Sequence, residues 1–177
     1  MLATAWIALW LLAGSSDPAA AVVGDGLGVR PSGRVSVDVT PVTASPRPGE
    51  PFSVAVAVTP RTGIRVYARD NPGYFPITLA FEWPRSLKAD PPHYPVAEPY
   101  LFGPLKELVQ VYREPFRITQ RVTIRPHSPS ARPDSLSIAG VLRYQSCDDR
   151  VCFPVESLPV RFTVTVQAAG AGSGSPK

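Results

Sequence analysis

A chain of 177 residues is long enough for one domain that buries most of an apolar core, so neither a metal nor a disulfide is required for folding. Its formal charge of +4, from 18 Lys and Arg against 14 Asp and Glu, comes with no run of basic residues. That dispersal excludes the basic stripe of a nucleic-acid footprint and reads as a solvated surface.

In chain order, Met1 to Ala21 carries an apolar run, Leu2 to Ala13, followed by Gly14, Ser15, Ser16 and then Ala19, Ala20 and Ala21. This is the outline of a secretory signal peptide cleaved near Ala20 or Ala21. No Lys or Arg precedes the run, so its positive end is the amino terminus alone or the true start lies upstream. The run is about a dozen residues, against the roughly twenty that a spanning helix needs, so no membrane span is expected in the mature chain. The protein is expected in the periplasm or otherwise exported. Residues 22–34 are Gly-rich and read as a flexible lead-in, residues 35–167 as one domain, and residues 168–177 as a flexible Gly/Ala/Ser tail.

Nineteen of the chain's 22 prolines lie within the domain, scattered among short Val-rich runs, a pattern of many short strands. Val35, Val37 and Val39 alternate with Ser36 and Asp38. After the turn segment Ser45-Pro46-Arg47-Pro48-Gly49, Phe52, Val54, Val56 and Val58 alternate with small residues. Further strands are predicted over Ile64 to Ala68, Pro76 to Trp83, Glu107 to Tyr112, Phe116 to Ile124, Leu136 to Tyr144 and Leu158 to Val166. No segment carries a capped helical period. Strands at this turn-bounded spacing predict an all-β, immunoglobulin-like antiparallel β-sandwich. The stretch from Trp83 to Val109, with Pro91-Pro92-His93-Tyr94-Pro95 and Tyr100-Leu101-Phe102-Gly103-Pro104, has poor strand character and reads as a long loop whose aromatics pack on something.

Between the strands at 136–144 and 158–166 runs Tyr144-Gln145-Ser146-Cys147-Asp148-Asp149-Arg150-Val151-Cys152-Phe153-Pro154, which holds both cysteines of the chain. Outside the cytosol a cysteine pair is normally a disulfide or a redox site. Four intervening residues allow a hairpin-like approach of the two Cβ atoms. As a staple such a bridge is badly placed: a loop this small stabilises by about 2 kcal/mol, where one between distant strands could contribute over ~4 kcal/mol. Asp148 and Asp149 oppose a thiolate and Arg150 favours it, a balance that composition alone does not sign. Phe153, Tyr144 and the aromatic loop are candidate shields for the sulfurs.

These residues resemble the N-terminal periplasmic domain of the thiol:disulfide interchange protein DsbD family. The segment from Tyr144 to Pro154 looks like that family's active site, a Tyr-Gln-x-Cys followed by a short acidic stretch, a second Cys, an apolar residue and Pro. Gly63-Ile64-Arg65-Val66-Tyr67, Gly73-Tyr74-Phe75-Pro76, and Leu101-Phe102-Gly103 followed by Val111-Tyr112 support it, over roughly Val35 to Val166. The resemblance implies an immunoglobulin-like domain whose Cys147/Cys152 pair accepts electrons from a membrane-embedded donor and passes them to oxidised periplasmic proteins. It implies that Cys152 attacks or is attacked first and Cys147 resolves the mixed disulfide. It also implies a cap loop at Leu101, Phe102 and Gly103, with Phe102 as the covering ring. Tyr67, Tyr144, Gln145, Asp148, Asp149, Phe153 and Pro154 then flank the site. The best-known members continue into a multi-helix membrane segment and a thioredoxin-like domain; the present sequence has no further hydrophobic span, so either a separate membrane donor or a binding or redox-sensing version of the domain is expected.

The competing function is a non-enzymatic immunoglobulin-like interaction module in which the hairpin disulfide is structural. Hydrolase chemistry has no support: there is no Gly-x-Ser-x-Gly elbow, no His-Glu-x-x-His and no phosphate-cradling Gly loop. A metal site from the cysteines with His93 and His127 matches no finger spacing, so neither metal nor other cofactor is expected, and the protein is expected to be a monomer.

Overall fold

The computed structural model describes residues 30–31, 33–43, 45–126 and 135–167. The expected signal peptide, the tail, most of the lead-in and His127 lie outside the described residues.

The described residues form strands and no helix. In chain order these are β1 (Arg30–Pro31), β2 (Val35–Pro41), β3 (Pro51–Pro60), β4 (Arg65–Tyr67), β5 (Thr78–Phe81) and β6 (Leu87–Ala89). They continue as β7 (Glu98–Phe102), β8 (Glu107–Tyr112), β9 (Phe116–Ile124), β10 (Ser135–Tyr144), β11 (Ser146–Cys147) and β12 (Glu156–Thr165). Every pairing is antiparallel, in three sheets ordered β1-β2-β3-β9-β6, β12-β10-β5 and β11-β4-β8-β7.

The period-2 patterns predicted from sequence place the core. Alternate residues of β9, Phe116, Ile118, Val122 and Ile124, are buried, as are Val35, Val37 and Val39 of β2 and Val160, Phe162 and Val164 at the inner end of β12. These faces meet in one apolar cluster shared by the five-stranded sheet, the β12-β10-β5 sheet and the inner face of β4 and β8, through Val66 and Tyr112. Each fully buried side chain of this size contributes about 1.5–3 kcal/mol relative to exposure, so this cluster holds the sandwich together. The result is the immunoglobulin-like antiparallel architecture expected from the strand spacing.

Two stretches differ from expectation. The segment from Trp83 to Val109 is not a long loop: it contains β6, three residues paired with β9, and β7, paired with β8 from Glu98↔Val111 to Phe102↔Glu107. β7 carries Pro99, which central strands exclude, but it forms the edge of its sheet, where a missing N–H is tolerated. Within the Gly-rich lead-in, Arg30–Pro31 pairs with Val37 and Ser36.

One feature of the connectivity positions the cysteines. β10 and β12 form a long ladder that ends at Tyr144↔Glu156. Beyond it the chain changes sheets at Gln145, and β11 pairs with β4 instead, Ser146↔Val66 and Cys147↔Arg65. The tip of the β10–β12 hairpin therefore joins the β11-β4-β8-β7 sheet as its edge strand, beside β4.

Candidate functional site: a covered hairpin disulfide

Cys147 and Cys152 form a disulfide. They face each other as an antiparallel bridge flanked by two backbone hydrogen bonds, Phe153 N–H to Ser146 O at 2.8 Å and Asp148 N–H to Val151 O at 3.0 Å. Cys147 and Cys152 are thus a non-hydrogen-bonded pair, the position at which antiparallel strands approach most closely. Their Cα atoms lie 4.0 Å apart. The turn between them is closed by Asp148, whose Oδ1 accepts from Arg150 N–H at 2.7 Å and Val151 N–H at 2.8 Å. Those two N–H groups hold the Asp148 carboxyl below the usual carboxylate range.

Strand parity decides what surrounds the sulfurs. Val66 and Tyr112 face the main core, so their neighbours Tyr67 and Val111, which pair with each other, face outward. Cys147 lies opposite Arg65, two residues before Tyr67, and shares that outward face. On the same face the β7–β8 hairpin presents Tyr100 with Val109, and Phe102 with Glu107. A second apolar cluster forms there from Tyr67, Phe102, Val109, Val111 and Cys147, with Tyr74, Tyr100 and Cys152 packed against it. Phe102 and Cys147 are each only 3% exposed, whereas Cys152 is partly exposed.

The polar group at the sulfurs is a tyrosine hydroxyl. The Tyr67 hydroxyl lies 3.1 Å from Cys147 Sγ and 3.3 Å from Cys152 Sγ. Disulfide sulfurs carry no proton, so the hydroxyl is the donor. Burial, followed by the influence of Tyr74, pushes the Tyr67 phenol well above its ordinary pKa, which keeps that donor protonated. Tyr74 stacks on Tyr67 with ring centroids 4.3 Å apart, and its hydroxyl donates to Glu107 Oε2, which raises the Tyr74 phenol as well. This bond ties the loop at residues 71–76 to the hairpin that carries Phe102.

A second set of contacts ties the hairpin to the cysteine turn. Arg65 pairs with Asp149, its guanidinium lies over the Tyr100 ring at 4.1 Å, and the Tyr100 hydroxyl donates to Asp149 at 3.2 Å. Gln145 joins three segments: its carbonyl accepts from Tyr67 N–H, its Oε1 from Phe75 N–H at 2.9 Å, and its Nε2 donates to Phe153 O. Asn71 fixes β8 through Gln110, accepting from its N–H at 2.6 Å and donating to its carbonyl at 2.7 Å.

The structure therefore brings Cys147, Cys152, Tyr67, Phe102, Gln145, Asp148 and Asp149 to one place. It distributes the other expected residues differently. Tyr144 is fully buried in the main core, on the far side of the sheet change. Phe153 lies beneath Arg34, whose guanidinium sits 3.8 Å from the ring centroid, and Pro154 is exposed. Leu101 pairs with Leu108 on the opposite face of the hairpin, and the two are 61% and 71% exposed. Gly103 begins the exposed turn that joins β7 to β8. Three residues at the site were given no role by sequence, Arg65, Tyr74 and Glu107, and Tyr100 entered only as part of the aromatic loop. For Arg65 a signal existed, because a residue two before Tyr67 in a strand must share its face.

The fold and site define an immunoglobulin-like sandwich carrying a covered disulfide at a hairpin tip. No protein-family model matches the sequence, and no curated protein matches it. Among solved structures the chain is similar to the N-terminal periplasmic domain of ScsB from Proteus mirabilis, with 14% identity and a TM-score of 0.52 over 73% of this chain and 46% of that one. It thus spans less than half of the ScsB chain it matches. It is also similar to the DsbD N-terminal domain of Neisseria meningitidis in the reduced form, with 16% identity and a TM-score of 0.46 over 74% of this chain and 90% of that one. The likeness to ScsB concerns the fold.

Proposed function

We propose that this domain is an extracytoplasmic thiol-disulfide interchange module that passes reducing equivalents between partner proteins through Cys147 and Cys152. The observation that carries the reading is the unequal burial of the two sulfurs beneath a separate aromatic cover: Cys152 is reachable and Cys147 is not. A thiolate of a dithiol partner attacks Cys152 Sγ, the Cys147–Cys152 bond breaks, and its electron pair remains on Cys147 Sγ. The second partner thiol then attacks the partner's own sulfur in the mixed disulfide and releases Cys152, which takes up a proton. The partner leaves oxidised and, once Cys147 takes up a proton from solvent, this domain holds two thiols, ready for the reverse sequence on an oxidised acceptor. No cofactor enters these steps. The donor is a membrane-embedded dithiol protein and the acceptors are oxidised periplasmic proteins, as in the family the cysteine segment resembles.

Single-cysteine variants treated with oxidised glutathione test the order of attack. The reading expects Cys147→Ala to form a mixed disulfide at Cys152, and Cys152→Ala to stay largely unmodified at the buried Cys147. Equal modification of both would contradict it. The second reading, an interaction module with a structural disulfide, is favoured by the exposed Leu101, Leu105 and Leu108 on the hairpin. It expects that binding to a partner survives loss of either cysteine.

A further inference from the structure

The exchange steps above leave Arg65 without a task, although it lies on the reacting face. In the β4–β11 register it is the direct cross-strand partner of Cys147, an arrangement that sets two side chains on one face with Cβ atoms about 5 Å apart. The Arg65 side chain is 12% exposed. Nη2 binds Asp149, Nη1 donates to Gly63 O at 3.3 Å, and the guanidinium stacks on Tyr100. Nε is buried and, among the described residues, has no hydrogen-bond partner. A buried unpaired donor on a cation is costly, and an anion formed beside it relieves that cost.

We infer that Arg65 is the counter-charge of the Cys147 thiolate, favouring departure of Cys147 when a partner thiolate attacks Cys152. The inference rests on the exchange reading for its place in the reaction. The partner dithiol is the reductant. As the Cys147–Cys152 bond breaks, the electron pair on Cys147 Sγ meets the positive charge of Arg65 and the Tyr67 hydroxyl. Of the groups facing this sulfur, Asp149 pairs with Arg65 from a side chain that is 72% exposed and so screened by water, whereas Arg65 is 12% exposed; Asp148 binds the N–H groups of its own turn, and Glu107 binds Tyr74. Tyr67 and Tyr100 are neutral donors, which leaves Arg65 as the cation of the set. Where the sequence shows only a balance of Asp148, Asp149 and Arg150, the fold adds a cation from a strand more than eighty positions earlier.

The test isolates Cys147 in a Cys152→Ala background and titrates its thiolate by ultraviolet absorbance, with an alkylated sample as baseline. Adding Arg65→Met is expected to raise the thiol pKa by about 1 unit or more, the scale of an opposite charge at this range. Adding Arg65→Lys, which keeps the charge, is expected to restore most of the shift. An unmoved titration in Arg65→Met would overturn the inference, as would Arg65→Lys moving as far as Arg65→Met. Arg65→Gln replaces Arg65→Met if the latter does not fold, with the same expected and contrary results. Because this measurement needs no partner, its outcome is separate from that of the exchange reading, which the reduction potential of the intact pair decides.

Discussion

Replacing Phe102 with alanine removes the ring from the cover while leaving both cysteines, Tyr67 and the backbone in place. The side chain is 3% exposed and packs in the cluster that includes Cys147. Burying an aromatic of this kind stabilises the closed hairpin by about 1.5–3 kcal/mol. With tenfold in population for each 1.4 kcal/mol, its loss raises the open fraction about 10- to 150-fold. The assay is the rate of disulfide reduction by dithiothreitol at low concentration, followed by alkylation and mass. The rate in Phe102→Ala should rise in that proportion. Leu101→Ala is the control, since Leu101 lies on the opposite face of the same hairpin and is exposed, and its rate should match the wild type. A Phe102→Ala rate within about twofold of wild type, far below the change worked from burial, would refute the role of Phe102 as the cover.

Two further outcomes follow from the hydrogen bonds around the site. Asn71→Ala removes a side chain that satisfies the Gln110 N–H and carbonyl and also donates to Ala68 O at 3.0 Å, so it should lower stability by about 1–3 kcal/mol in denaturant unfolding. It should also speed dithiol reduction, because Gln110 belongs to the strand that carries one side of the cover. Acid should weaken the fold with a definite sign. Asp148, through the N–H groups of Arg150 and Val151, and Glu98, through its hydrogen bonds from Arg113, both have carboxyls held below the usual range. Their stabilisation is therefore in place above the unfolded carboxylate value of about 4 and is lost as pH falls through the depressed folded values. The denaturation midpoint should fall across that acid range, and less steeply in Asp148→Ala; an identical slope in the two proteins would contradict the role of the Asp148 turn.

The sequence made the sandwich legible because its central strands have period-2 alternation: β2, β3, β9, β10 and β12 each show it, and each was predicted close to its observed bounds. β6 and β7 were hidden for physical reasons. β6 is three residues long, too short for a period to show, and β7 contains Pro99 with Tyr100 and Leu101 facing opposite ways, both partners being apolar. The turn between β7 and β8 places its positive φ on Lys106, a residue that gives no turn signal, where Gly103 and Pro104 do. The cysteine pair was plain from its spacing. Its surroundings were not, because they depend on the change of sheet at Gln145: that step sends Tyr144 into the main core and aligns Cys147 with Arg65, and only pairing partners far away in the chain determine it. Glu107 and Tyr74 meet for the same reason, across a loop and a hairpin whose register no local pattern encodes.

The central claim is that the Cys147–Cys152 bond is a reagent held under a cover. The reduction potential of the pair tests it most directly, measured by equilibrating the domain with dithiol redox buffers and counting free thiols by mass. The expected value lies among those of exchange proteins, roughly −270 to −120 mV. A value well below about −300 mV, where structural bridges lie, would contradict it and leave the disulfide as a brace for the hairpin.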